Sequence, residues 1–236
     1  VSLLSSRSLL LEVGPHGLSL ARAGERLHAD VQPLAHDTLA AALARIPAAA
    51  TPRRAAVEVS IDNAWTRWQV IELPPGVAGR DEVQALVRAR MMEVFGTAAQ
   101  GWTFAWDARP AERVLACGMD TALVQALVAW AAAIGVRLAS VQPAWLRAYA
   151  AFGGSAALGG FAQLQHGWLC MGLWSGGRWL HMRGEALDDP AALPALLERR
   201  LSLFDGALDG GQLFVQGAPS MNLPRGWRCV AGGVVA

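Results

Sequence analysis

Short apolar runs punctuated by Gly and Pro open the chain. Residues 8–13, 18–23 and 26–31 read as three strands, separated by turns at Pro15-His16-Gly17 and at Gly24-Glu25, the latter with the chemistry of a tight hairpin. Asp37 is placed to cap a short helix that Pro47 ends, and residues 55–60 and 65–73 are rich in the β-branched and aromatic side chains of strands. The spacing then changes. Val83, Leu86, Val87, Met91, Val94 and Phe95 recur on one face of a helix, with Asp81 and Gln84 as a capping box and Gly96 as the stop. Strands at 102–106 and 114–118 precede a second long helix, which Asp120 begins, Leu123, Leu127, Trp130 and Ile134 anchor, and Gly135 closes. Residues 136–141 return to strand, and Pro143 opens a helix through Ala150.

Gly153-Gly154 to Gly159-Gly160 reads as a flexible joint, beyond which the opening arrangement recurs. Strands at 161–165, 168–174 and 179–183 turn at Gly167 and at Ser175-Gly176-Gly177. A helix over 190–203, a Gly-rich turn at 205–211, a strand at 213–216 and the loop Gly217-Ala218-Pro219 follow. The repetition lies in the order of elements, not in the residues. Two units that each begin with three antiparallel strands and continue with alternating helix and strand predict an α/β chain in the duplicated two-lobe actin-like (ribonuclease-H-like) layout, with mixed sheets flanked by helices. Residues 1–152 would form a first lobe with an inserted subdomain, and 153–236 a second, reduced lobe.

Composition narrows the chemistry. With 53% hydrophobic and 17% charged residues the chain is apolar for an α/β protein, which argues for surface that a partner covers. A formal charge of +1 leaves no broad electrostatic footprint for nucleic acid. All 20 Lys and Arg residues are Arg, so a phosphate-loop lysine, a kinase strand lysine and a Schiff base are ruled out. Cys117, Cys170 and Cys229 are widely separated and odd in number, which suits buried thiols in a reducing compartment better than disulfides or a metal knuckle. The longest apolar stretch, 121–136, is interrupted by Gln125 and shorter than the ~18 residues of a membrane span, and no secretory signal opens the chain. The sequence starts without Met and ends at "VAGGVVA", and is open to being a fragment.

His16, His28, His36, His166 and His181 form no helical pair with acidic neighbours, which speaks against metal binding. Ser155 after Gly153-Gly154 lacks the nucleophile elbow because Ala157 stands where its last Gly belongs. Asp188-Asp189 before Pro190 suits capping. Tryptophan is the unusual element, ten against a single Tyr. Two readings stand: core packing between sheet and helix, or a docking surface, for which Trp65, Arg67, Trp68, Arg178 and Trp179 are the candidates.

The run "VSIDNAWTRWQVIELPPGVAGRDEVQALVRARMMEVFG", then "WTFAWD", then "RVLACGMDTALVQALVAWAAAIGVRLASVQPAWLRA" resembles the middle of bacterial type IV pilus PilM proteins and of the cytoplasmic L-components of type II secretion. The matching positions are Leu73-Pro74, the helix 81–95, the strands 102–106 and 114–118, Gly135 and Val141-Gln142-Pro143, over roughly two-fifths of the chain. The resemblance implies a non-catalytic adaptor in the bacterial cytoplasm, at the cytoplasmic face of the inner membrane. Its partners would be inner-membrane pilus or secretion platform proteins and the assembly ATPase. PilM proteins bind a short N-terminal peptide of a membrane partner in a groove; L-components bind the assembly ATPase and continue into a membrane helix.

Nucleotide-binding members of the wider actin-like superfamily carry Asp-x-Gly in each hairpin, with the carboxylate holding magnesium through water and the Gly letting backbone N–H groups approach phosphate. The first hairpin here has Glu12-Val13-Gly14, followed by Pro15, which has no N–H, and His16. The second has Gln165-His166-Gly167, followed by Trp168, whose indole is expected to crowd a phosphate. The expectation is therefore no cofactor and no catalysis. The alternative is an ATPase or phosphotransferase in which Glu12 serves the metal and Gly14, Gly17, Gly167 and Gly217 line the nucleotide. A solvated strand-end carboxylate and ordinary turn geometry account equally for Glu12, Gly14 and Gly17.

Overall fold

The computed structural model describes residues 8–77, 79–107, 112–152, 158–204, 211–219, 221–223 and 226–232. The chain begins with β1 (Ser8–Gly14), β2 (Gly17–Arg22) and β3 (Glu25–Asp30), followed by α1 (Leu39–Ala44) and β4 (Ala56–Ile61). Next come β5 (Arg67–Glu72), α2 (Arg80–Phe95), β6 (Trp102–Trp106), β7 (Arg113–Asp120), α3 (Thr121–Ile134), β8 (Arg137–Pro143) and α4 (Ala144–Phe152). The second half runs β9 (Leu158–Gln165), β10 (Trp168–Ser175), β11 (Arg178–Ala186), α5 (Leu193–Ser202), β12 (Gln212–Gln216) and β13 (Arg228–Gly232).

Two five-stranded sheets share one topology, with orders β3-β2-β1-β4-β8 and β11-β10-β9-β12-β13. In each, an antiparallel three-stranded start continues into parallel pairs, as in β1 with β4 and β9 with β12. The duplicated two-lobe layout is thus written in strand order. In the first sheet Leu9, Leu11 and Val13 alternate inward and meet Leu39 and Leu43 of α1 and Leu123 and Leu127 of α3. In the second, Leu169, Met171 and Leu173 face Leu193, Leu197 and Leu201 of α5. A third sheet, β5-β7-β6, is inserted in the first lobe and carries α2 on Ile71, Val114 and Ala116.

Several expectations are corrected in detail. Gly159 and Gly160 are not part of a joint but lie inside β9. A Cβ on Gly160 would stand 2.5 Å from Leu173 Cδ2 and 2.7 Å from Leu213 Cδ1, so these glycines admit close packing, not bending. Positions 153–157 and most of the 205–211 turn lie outside the described residues. Helix α2 starts at Arg80, where Glu82 accepts from the Gly79 N–H at 3.1 Å, so Glu82 and not Gln84 completes the cap. Val94 is 55% exposed, which narrows the apolar face of α2. Thr38, not Asp37, precedes α1. Residues 190–192 form a separate 3-10 turn capped by Asp189, because Pro194 carries no N–H to continue a single helix from Pro190. Strand β13, absent from the sequence reading, pairs in parallel with β12 and carries Cys229, which is half-buried; Cys117 and Cys170 are the buried thiols.

Candidate functional site

The β1–β2 and β9–β10 hairpins point their turns at one another across a cleft of about 220 Å³. Strand β1 runs parallel to β4, and Asp62, the first residue after β4, donates its N–H to Val13 O at 2.8 Å. That placement sets the Asp62 side chain against Gly14, where a Cβ would lie 2.4 Å from Asp62 Cβ. The glycine is required for approach to a carboxylate of the protein itself. On the opposite side, His166 (φ +49°) and Gly167 (φ +73°) form the two-residue turn of β9–β10, both left-handed as the tight hairpin demands.

The turn delivers His166 to Asp62. Asp62 is 5% exposed; its Oδ1 accepts from Ala64 N–H at 2.9 Å, and its Oδ2 accepts from His166 Nδ1 at 2.8 Å, since a carboxylate oxygen requires a donor there. The ring of His16 lies 5.0 Å from that of His166, so both turns contribute an imidazole to the same clasp. Glu12 is exposed in the cleft and accepts from Ser19 Oγ at 3.0 Å. Asp30, also lining it, is bound by Arg45, whose guanidinium holds the carboxyl below its ordinary value. Gly14 and Gly17 line the cleft, while Gly167 and Gly217 do not. Gly217 instead sits where a Cβ would meet Leu164 O at 2.0 Å. Trp168 is also absent from the cleft, contrary to the expectation that it would crowd a phosphate there: it faces away, with Arg67 5.3 Å above its ring. His166 is the residue at that place.

Behind the clasp the two lobes are joined by buried contacts. Asn63 Nδ2 donates to Gln163 Oε1 at 2.8 Å, and Trp145 N–H donates to Asn63 Oδ1 at 2.9 Å. Trp145, fully buried, extends this link, its indole N–H donating to Phe161 O at 3.2 Å and its ring stacked on Tyr149 with centroids 5.3 Å apart. Trp68, Trp174 and Trp179 complete the aromatic cluster. No residue of this network was a sequence candidate except Trp68 and Trp179; the available signal was the polar pair Asp62-Asn63 directly after the apolar run of β4.

No protein-family model and no curated protein matches the sequence. Solved structures match its fold. The cytoplasmic domain of EpsL, an inner membrane component of the type II secretion system of Vibrio cholerae, is similar over 96% of this chain and 90% of its own, with TM-score 0.61 and 15% identity. A Bacteroides thetaiotaomicron protein of unknown function with an actin-like ATPase fold gives 92% and 84%, TM-score 0.59 and 11% identity. The PilM-PilN type IV pilus biogenesis complex gives 90% and 81%, TM-score 0.58 and 15% identity. The chain has the actin-like fold. The likeness expected from the sequence is therefore present in the architecture it shares with EpsL and PilM.

In this actin-like chain the five docking candidates separate. Trp68 is 6% exposed and donates to Thr66 Oγ1 at 3.1 Å, and Trp179 is half-buried among Tyr149, Trp145 and Trp174, so core packing claims both. Arg178 is exposed and paired with Glu112 at 2.6 Å. Trp65 and Arg67 line a second groove, of about 340 Å³, with His36, Trp102 and Asp120. There His36 lies edge-on to Trp65 with centroids 4.7 Å apart and donates from Nδ1 to Asp120 Oδ2 at 3.1 Å. Trp65 belongs to a 3-10 turn capped by Asp62, not to β5.

Proposed function

We propose that this chain is a non-catalytic adaptor of a type IV pilus or type II secretion inner-membrane platform, working at the cytoplasmic face of that membrane and linking membrane partners to the assembly ATPase. The observation that carries the reading is the Asp62–His166 clasp. It stands where an actin-like cleft would receive a metal-bound triphosphate, and it places a buried carboxylate against Gly14. The residues present do not fit that ligand: Pro15 offers no N–H, the Asp62 and Asp30 carboxylates are already engaged by His166 and Arg45, and the chain contains no lysine.

Similarity of fold to the EpsL cytoplasmic domain and to PilM in its complex with PilN supports the platform assignment. The groove beside Trp65 is the surface we assign to a membrane partner, since Trp and Arg, which stand side by side there, are the residue types enriched in interface anchors. No helix among the described residues is long and apolar enough to cross a membrane. Co-purification from detergent-solubilised inner membrane of the producing bacterium tests the reading. Recovery of a pilus or secretion platform protein, lost in Trp65→Ala, is the expected result; recovery of none contradicts it.

A further inference from the structure

Strand β5 is an edge of the inserted sheet and β11 an edge of the second-lobe sheet. The two lie side by side, and among the described residues no backbone hydrogen bond joins them. Between them and the end of α2 opens a groove of about 510 Å³, separate from the cleft and largely separate from the groove beside Trp65.

Three features of this groove remain unexplained by the fold. First, it holds two arginines without carboxylate partners among the described residues. Arg67 is half-buried, donates to Ala64 O and Thr66 O at 2.9 and 2.8 Å and lies over the Trp168 ring; Arg183 is exposed, with no side-chain hydrogen bond among the described residues. The neighbouring carboxylate, Glu185, is already taken by Arg200. Burial lowers the pKa of Arg67, the direction expected of a partly desolvated guanidinium. Second, Gln69 Oε1 and His181 Nε2 are buried without hydrogen-bond partners, and both residues line the groove. Third, its wall carries Val94, the exposed apolar residue of α2.

We propose that the groove between β5 and β11 binds an extended segment of a partner protein in which acidic and apolar side chains alternate. The carboxylates pair with Arg67 and Arg183, and the apolar side chains cover Val94. A free phosphate would answer the arginines but leave the apolar wall bare. The site shares Arg67 with the Trp65 groove but is otherwise built from other residues, and it stands whether or not the chain serves a pilus or secretion platform.

The test is binding of the intact chain to an array of peptides about six residues long, the ordinary length of a strand, in which Asp or Glu alternates with each apolar residue, beside a matching array with Asn or Gln. Acidic peptides bind, added salt weakens them, and the neutral array does not bind. Arg183→Glu, at an exposed position, leaves the melting temperature unchanged and weakens binding about tenfold or more. Equal binding of both arrays, full binding by Arg183→Glu, or no saturable binding overturns the proposal. So does Arg183-dependent binding to phosphatidylglycerol vesicles without peptide binding, which would assign the groove to a lipid surface.

Discussion

Asn63 and Gln163, one hundred positions apart, meet through a 2.8 Å hydrogen bond in the buried seam between the lobes. The bond lies one residue from Asp62, so the seam and the clasp form one continuous contact. A cleft that opens and closes around a ligand needs a hinge free to move; here the hinge is filled with Trp145 and a satisfied polar network.

Replacing Asn63 by Ala strands Gln163 Oε1 and the Trp145 N–H together. Urea unfolding is expected to show a loss of about 2–4 kcal/mol, more than a single surface hydrogen bond is worth, because two buried groups are left unpaired. In the Asn63→Leu, Gln163→Leu double variant the loss is smaller than the sum of the single losses.

Gly160→Ala distinguishes close packing from flexibility. A flexible joint would accept Ala or gain from it; a strand packed on Leu173 and Leu213 loses about 1–3 kcal/mol, read from the denaturation midpoint.

Much of this architecture was legible in the sequence, since apolar runs, helical spacing and Gly/Pro punctuation place twelve of the thirteen strands. Strand β13 was not read from the sequence, because "RCVAG", although set off by Gly226 and Gly232-Gly233, has only three consecutive apolar residues and no alternation. The site was only half legible. Glu12 and Gly14 could be found by their place in a hairpin, but the partner that fills the cleft, Asp62, lies at the end of β4 and reaches His166 over a separation of 104 positions. No local spacing encodes such a contact. Tryptophan count likewise signalled an aromatic cluster without saying which side faced water, and the fold decided that Trp68 went inward and Trp65 stayed at a groove.

Acid should weaken the protein in two windows. Burial first, then Arg200 and Arg183, lower the pKa of His181 from its ordinary 6.5. Above that value the imidazole is neutral in both states and contributes nothing. Below it the unfolded chain takes up a proton that the folded chain resists, so stability falls as pH drops. Glu185, although burial opposes ionisation, is lowered from 4.5 by Arg200, so its contribution is present above that value and lost as pH falls through the folded one. Urea midpoints measured against pH check both. His181→Gln removes the decline that begins below 6.5, whereas Glu185→Gln is less stable at neutral pH and converges with the parent chain only in stronger acid.

On this reading the cleft closed by Asp62 and His166 no longer takes a magnesium-bound triphosphate. Thermal unfolding with and without millimolar ATP and magnesium tests it most directly, since any ligand of the native state raises the melting temperature by mass action. Coincident curves are the expected result. A rise that Glu12→Ala abolishes would contradict it and make the chain a nucleotide-binding protein.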